Sequence, residues 1–189
     1  MRRRSSWLRL HSMDDRIAAA RAQHTHRLVF QEPTRVTDKL WLGSCFDAKD
    51  IEFLRGERIT HVVNCADPLP LFETYTVKDA DLRAWIVLNA DDDRDYPILE
   101  RHLDTVTEFI DRALLEPDAK VLVHCRAGVN RSATLVLAYA ALVGARRDLR
   151  PFGRLEAFAT VFEHVMEERP MILANDGFYA QLVEWAHRE

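Results

Sequence analysis

The residues with chemistry in them are concentrated between positions 121 and 135. An apolar run, Val121-Leu122-Val123, ends in His124 and Cys125. Five loop residues follow, Arg126, Ala127, Gly128, Val129 and Asn130, and then Arg131 and Ser132. An apolar helical pattern then runs from Ala133 to Val143. The spacing predicts a buried strand, a tight loop and a helix N-terminus. Such a loop offers backbone N–H groups and the positive end of a helix dipole to an anion. A cysteine sits at its mouth.

Cysteine reacts as the thiolate. The loop amides, the helix start near Ser132 and the charge of Arg131 all favour that form at Cys125. Gly128 lets the backbone turn and come close to an oxyanion. Arg131 is a planar fork suited to two equatorial phosphate oxygens. Ser132 can donate a hydrogen bond to the sulfur and help it leave in a second step. His124 is expected to orient the loop from behind, because an ionised thiol needs no base. Cleaving a phosphate ester also requires a proton for the leaving oxygen. The acidic loop Asp91-Asp92-Asp93-Arg94-Asp95 supplies four candidates, and the residues alone do not choose among them.

The run His124-Cys125-Arg126-Ala127-Gly128-Val129-Asn130-Arg131-Ser132 resembles the signature of the cysteine-dependent protein tyrosine phosphatases, and the match is complete. Arg169-Pro170-Met171, Asn175-Asp176-Gly177-Phe178 and Gln181-Leu182 are similar to a pattern of the dual-specificity branch. Pro33 to Thr37, Leu42-Gly43, the Asp-Asp loop, Asp104, Val106-Thr107, the loop Ala127 to Ser132 and Leu137-Ala138-Tyr139 resemble the poxvirus-encoded members. The abundance of Ala and Arg suits a parapoxvirus. The resemblance implies hydrolysis of phosphotyrosine and of phosphoserine or phosphothreonine in viral and host signalling proteins, through a cysteinyl phosphate on Cys125. It implies that residues Arg126 to Arg131 bind the phosphate and that no cofactor or metal takes part. Setting Leu99 and Phe109-Ile110 on the family pattern puts the general acid on Asp93. It also implies a homodimer joined through an exchanged N-terminal helix, and a place in the virion and the host cytoplasm. In some relatives a second cysteine beside the nucleophile forms a disulfide with it, and Cys65 is the candidate here.

The rest of the chain must position these groups. Its 189 residues predict one domain with a substantial core, 48% hydrophobic and 30% charged. A net charge of −4 argues against a general nucleic-acid binder. Three cysteines, Cys45, Cys65 and Cys125, show no framework spacing and point to a reducing compartment. Neither a membrane span nor a secretory signal is expected, and the histidines show no metal-ligand spacing.

The fold expected is α/β: a central, mostly parallel twisted sheet flanked by helices, plus an N-terminal helix. Strands are predicted at 35–37, 39–42, 60–64, 74–77, 83–88 and 121–124. Helices are predicted at 47–55, 97–115, 132–143, 154–168 and 176–187, the last capped by Asn175. Residues 1–30 read as a helical appendage and 31–189 as the catalytic domain. Leu10, Met13, Ile17, Ala20 and Leu28 make a stripe that packs on its own domain or on a second chain. Arg146, Arg147, Arg150, Arg154 and Arg169 line the rim of the site or form a solvated face. Two other functions stay open, an RNA 5′-triphosphatase and a non-catalytic phosphopeptide-binding module.

Overall fold

Among the described residues five short strands form one sheet in the order β1-β2-β5-β3-β4. The coordinates are a computed structural model, and it describes residues 12–22, 32–67, 80–147 and 153–188. The strands are β1 (Thr34–Thr37), β2 (Leu40–Gly43), β3 (His61–Asn64), β4 (Ala84–Val87) and β5 (Val121–His124). β1 pairs with β2 antiparallel in a hairpin, and every other pairing is parallel. β2, β3 and β5 are buried at every position, as strands covered on both faces must be. The strand expected at 74–77 lies outside the described residues.

A one-turn 3₁₀ segment (Asp47–Lys49) and α2 (Ile51–Gly56) lie on one face of the sheet. There Trp41, Leu54, Ile59, Val62 and Leu122 form a small cluster. The other face carries the main core under α3 (Ile98–Ala113), α4 (Arg131–Arg147), α5 (Arg154–Glu168) and α6 (Asp176–His187). α3 is amphipathic and buries Ile98, Leu99, Leu103, Val106 and Ile110. Each such side chain stabilises the fold by about 1.5–3 kcal/mol when fully buried. α4 is buried without a break from Arg131 to Tyr139. Its small residues, Ala133, Ala138 and Ala141, let it run through the core between its neighbours.

α1 (Met13–Ala22) starts where Ser12 Oγ accepts a 3.1 Å hydrogen bond from the Asp15 amide. It packs on α5 of its own chain, with Ile17 and Ala20 buried. Arg16 makes a bidentate pair with Glu163 at 2.6 and 2.8 Å. Arg21 pairs with Asp176 and lies 3.6 Å over the Tyr179 ring. Leu10 and Leu28 of the expected stripe lie outside the described residues. Among the described residues no helix is long and apolar enough to cross a membrane.

One expectation is overturned outright. Arg169 lies neither on a rim nor on a solvated face, because it is fully buried. Pro170 explains the turn inward. It ends α5, and Arg169, just before it, leaves the helix path with φ −134° and ψ 79°. Arg154 does not point freely to solvent either, since Nη1 donates to the Trp185 carbonyl at 3.1 Å. Of the side chains of Arg146, Arg147 and Arg150 nothing is described.

Candidate active site

Three parallel strands end side by side, and the site is built on their C-terminal edge, where ligands of open α/β sheets bind. Backbone bonds stitch these ends together. The Cys65 amide donates to the His124 carbonyl at 2.8 Å, and the Ala90 amide donates to the Cys65 carbonyl at 3.1 Å. Arg131 Nη1 then donates to the Ala90 carbonyl at 3.1 Å. The guanidinium is thereby fixed at the start of α4 and is only 8% exposed.

Between β5 and α4 the loop carbonyls all turn outward. That of Arg126 accepts from the Cys45 amide at 3.3 Å, that of Val129 from the Leu173 amide at 2.8 Å, and that of Asn130 from the Thr134 amide at 2.9 Å. Those of Ala127 and Gly128 both accept from Arg169, at 3.2 and 2.9 Å. In a trans peptide the carbonyl and the next amide point opposite ways. Carbonyls out therefore means amides in, toward a common centre. Gly128 has φ +69°, and a Cβ there would collide with Arg169 and the Gly43 carbonyl. The loop needs a glycine for its backbone and for its neighbours alike.

Cys125 is 1% exposed, and Ser132 Oγ donates to its Sγ at 3.2 Å. His124 lies behind the loop, fully buried, with Nδ1 3.3 Å from the Cys125 carbonyl oxygen. Burial lowers its pKa to about 4, so the ring is neutral at physiological pH. That agrees with a role in shape rather than proton transfer. Cys65 lies at the end of the neighbouring strand. Burial first, and the Cys125 charge second, push its pKa well up, so it stays a thiol.

Of the four acids between 91 and 95, Asp92 is the one that reaches the loop. Its Oδ2 lies 3.5 Å from Arg131 Nε. Asn130 Nδ2 donates to its two oxygens at 3.1 and 3.2 Å, and Asn175 Nδ2 donates to Oδ1 at 3.1 Å. Asp93, expected in that place, uses Oδ1 to accept from the Asp95 amide at 2.9 Å and so holds its own turn.

Two groups outside the expected set complete the geometry. Asn175 was foreseen as a helix cap and as part of the dual-specificity pattern, without a place in the site. Its Oδ1 does cap α6, accepting from Gly177 and Phe178 at 3.0 and 3.3 Å, while its amide nitrogen reaches Asp92. Gln181 Nε2 donates to the Tyr96 carbonyl at 2.9 Å, and a Cβ at Gly177 would overlap the Arg94 carbonyl. The N-terminus of α6 is thus the seat of the acidic loop. The sequence signal was Gly177 itself, a poor helix former in a first turn, which marks a close approach. Among the described residues no group of three or more His, Cys, Asp or Glu could hold a metal ion.

Comparison with known proteins gives a consistent picture. The family model described as the dual specificity phosphatase catalytic domain matches residues 40–188. Protein phosphatase Slingshot homolog 3 of Mus musculus is 32% identical over 149 residues, 79% of this chain and 20% of that protein. Dual specificity protein phosphatase 15 of Mus musculus is 31% identical over 159 residues, 82% of this chain and 59% of that protein. The chain therefore spans less than two thirds of either relative. The crystal structure of DUSP15 superposes with a TM-score of 0.67 at 29% identity, covering 82% of this chain and 87% of that one. OH1 from the Orf virus, a tyrosine phosphatase with triple substrate specificity, gives a TM-score of 0.69 and covers 92% and 96% of the two chains. At 24% identity that last likeness is one of fold.

Proposed function

The chain belongs to the family of dual specificity phosphatase catalytic domains, and we propose that it hydrolyses phosphotyrosine and phosphoserine or phosphothreonine in proteins through a cysteinyl phosphate. The observation that carries this reading is the placement of Cys125 Sγ, 3.2 Å from Ser132 Oγ, in a loop whose carbonyls all face away.

The cycle has two displacements at phosphorus. Cys125 Sγ attacks and the ester P–O bond breaks. The leaving oxygen takes a proton from a carboxylic acid. We assign that acid to Asp92, because its carboxylate stands beside Arg131 and Asn130, whereas Asp93 is engaged with its own turn. Arg131 and the amides of residues 126–131 hold the three equatorial oxygens through both transition states. In the second step Asp92 takes a proton from water as that water attacks phosphorus. The P–S bond breaks, and Ser132 steadies the departing thiolate. The chemistry as proposed uses no cofactor.

Substrates in this reading are phosphorylated proteins, viral and host signalling proteins among them. A poxvirus origin, specifically a parapoxvirus one, is the finer form, with residence in the virion and host cytoplasm. It rests on the resemblance at Ala127 to Ser132 and on the fold shared with the Orf virus enzyme. A homodimer through exchange of α1 belongs to the same reading. What favours it is that α1 holds the body by one face, through Ile17, Ala20 and two arginine pairs. We also propose Cys65 as the thiol that condenses with Cys125 sulfenic acid after peroxide, releasing water. Peptide mapping that finds no Cys65–Cys125 link would refute that step.

The test of function is release of phosphate. Purified protein should dephosphorylate phosphotyrosyl and phosphoseryl peptides and leave triphosphate-ended RNA intact. Release from the RNA alone would overturn the proposal. Binding of phosphopeptides without turnover would favour a recognition module.

A further inference from the structure

Arg169 is a buried cation that the proposed mechanism does not use. Its guanidinium is fully buried, and among the described residues no carboxylate lies within ion-pair distance of it. Asp47 faces it from farther off, and that carboxylate is occupied by the Ser44 amide at 2.6 Å and the Ser44 hydroxyl at 2.8 Å. Burying a cation without a close counter-ion costs several kcal/mol. The position is therefore held by something other than an ion pair.

What holds it is three carbonyls. Nε donates to Gly128 at 2.9 Å, Nη2 to Ala127 at 3.2 Å and Nη1 to Glu32 at 2.7 Å. Two of these belong to consecutive residues of the loop. In an extended chain successive carbonyls alternate in direction, so one fork cannot hold both. Holding both requires the chain to leave the extended form between the two carbonyls, and Gly128 does so, with φ +69°. That combination makes a nest, in which successive amides converge on the opposite side. The fork on the outside and the oxyanion cradle on the inside are two faces of one backbone conformation.

We propose that Arg169 is a positioning residue of the phosphate loop, one that imposes the amide nest through the Ala127 and Gly128 carbonyls without touching substrate. This rests on the phosphatase reading above. The cation also stands electrostatically within range of Cys125, so its charge has the sign that a thiolate and a phosphate dianion require. The third bond, to Glu32, anchors the fork to the segment that leads into β1.

The experiment compares the wild type with Arg169→Met and Arg169→Lys, using orthovanadate as the oxyanion probe and p-nitrophenyl phosphate as substrate. Near-ultraviolet circular dichroism establishes that each variant is folded. Both should weaken inhibition by vanadate and lower kcat/KM by about 10- to 100-fold. Lysine should not rescue, because an ammonium lacks the planar fork. Folded variants with vanadate inhibition and kcat/KM within about twofold of the wild type would overturn the proposal. Where neither variant folds, nuclear magnetic resonance of the wild type decides. The Arg169 Nε–H signal should be protected from exchange and should shift when vanadate is added, and a signal that stays unmoved refutes the role. A wild type with no phosphatase activity, yet with that vanadate-dependent shift, would sink the function and leave the positioning role standing.

Discussion

The two halves of the site are held in opposite ways. The loop from His124 to Ser132 is contiguous and buried, and its carbonyls are tied one after another to backbone amides and to Arg169. The acidic loop is mostly exposed, and what ties it down are side chains from elsewhere, Asn130, Asn175 and Gln181. The first is held firmly because each carbonyl from Arg126 to Asn130 has a partner. The second depends on a handful of contacts that single substitutions can remove. The oxyanion cradle is thus a backbone conformation held by many bonds, while the place of the proposed acid depends on a few side chains.

The largest expected effect falls on the first half. Cys125→Ser should abolish turnover and leave phosphopeptide binding intact, checked by phosphate release and isothermal titration. Residual turnover near the wild-type rate would dissolve the comparison, because the cradle would then not be where the chemistry happens. Next comes Asp92→Asn, with a loss of about 10²–10⁴-fold in kcat for an alkyl phosphate. The loss should shrink for an aryl phosphate with a good leaving group, which needs little help from an acid. Asp93→Asn should change either rate by no more than about threefold, because that carboxylate is engaged with its own turn. The reverse pattern would return the acid to Asp93.

The third effect concerns stability. His124 has a folded pKa depressed to about 4 by burial, against 6.5 when exposed. Between those values the unfolded chain binds a proton that the folded chain refuses, so stability falls as pH drops through that window. The difference of about 2.5 pH units corresponds to about 3 kcal/mol at most. Urea unfolding at pH 7, 5 and 4 should show this loss in the wild type and a flatter profile in His124→Gln. The smallest effect sharpens the contrast most. Asn175→Ala should lower kcat about tenfold for the alkyl phosphate, the worth of a hydrogen bond to a charged group. It should leave vanadate inhibition unchanged. If vanadate inhibition fell as well, the two halves would not be separable.

This asymmetry also decides what could be read in advance. Cys125, Arg131 and Ser132 are legible because their spacing is local and only a strand, a loop and a helix start can satisfy it. The order of strands and helices followed from periodicity, since burial on one face or two imprints itself on the pattern. The acid was harder. Asp91, Asp92, Asp93 and Asp95 are chemically alike, and the proposal of Asp92 rests on its contacts with Asn130 and Asn175, 38 and 83 residues away from it. Arg169 defeated the sequence for another reason. Charge predicts exposure, and only the carbonyls of Ala127 and Gly128 explain why this guanidinium is buried.

The seat that α6 gives the acidic loop has a consequence for the order of synthesis. At about 5–20 residues per second, the ribosome makes the acidic loop several seconds before α6. Until Asn175, Gly177 and Gln181 emerge, 83 residues behind Asp92, a nascent chain holds the strands, the cysteine and the arginine but has nowhere to dock its acid. Arg169 and Leu173, which hold the phosphate loop from behind, are made just ahead of Asn175, so the cradle and the seat of the acid are completed together, by a stretch of chain that contributes no reacting atom.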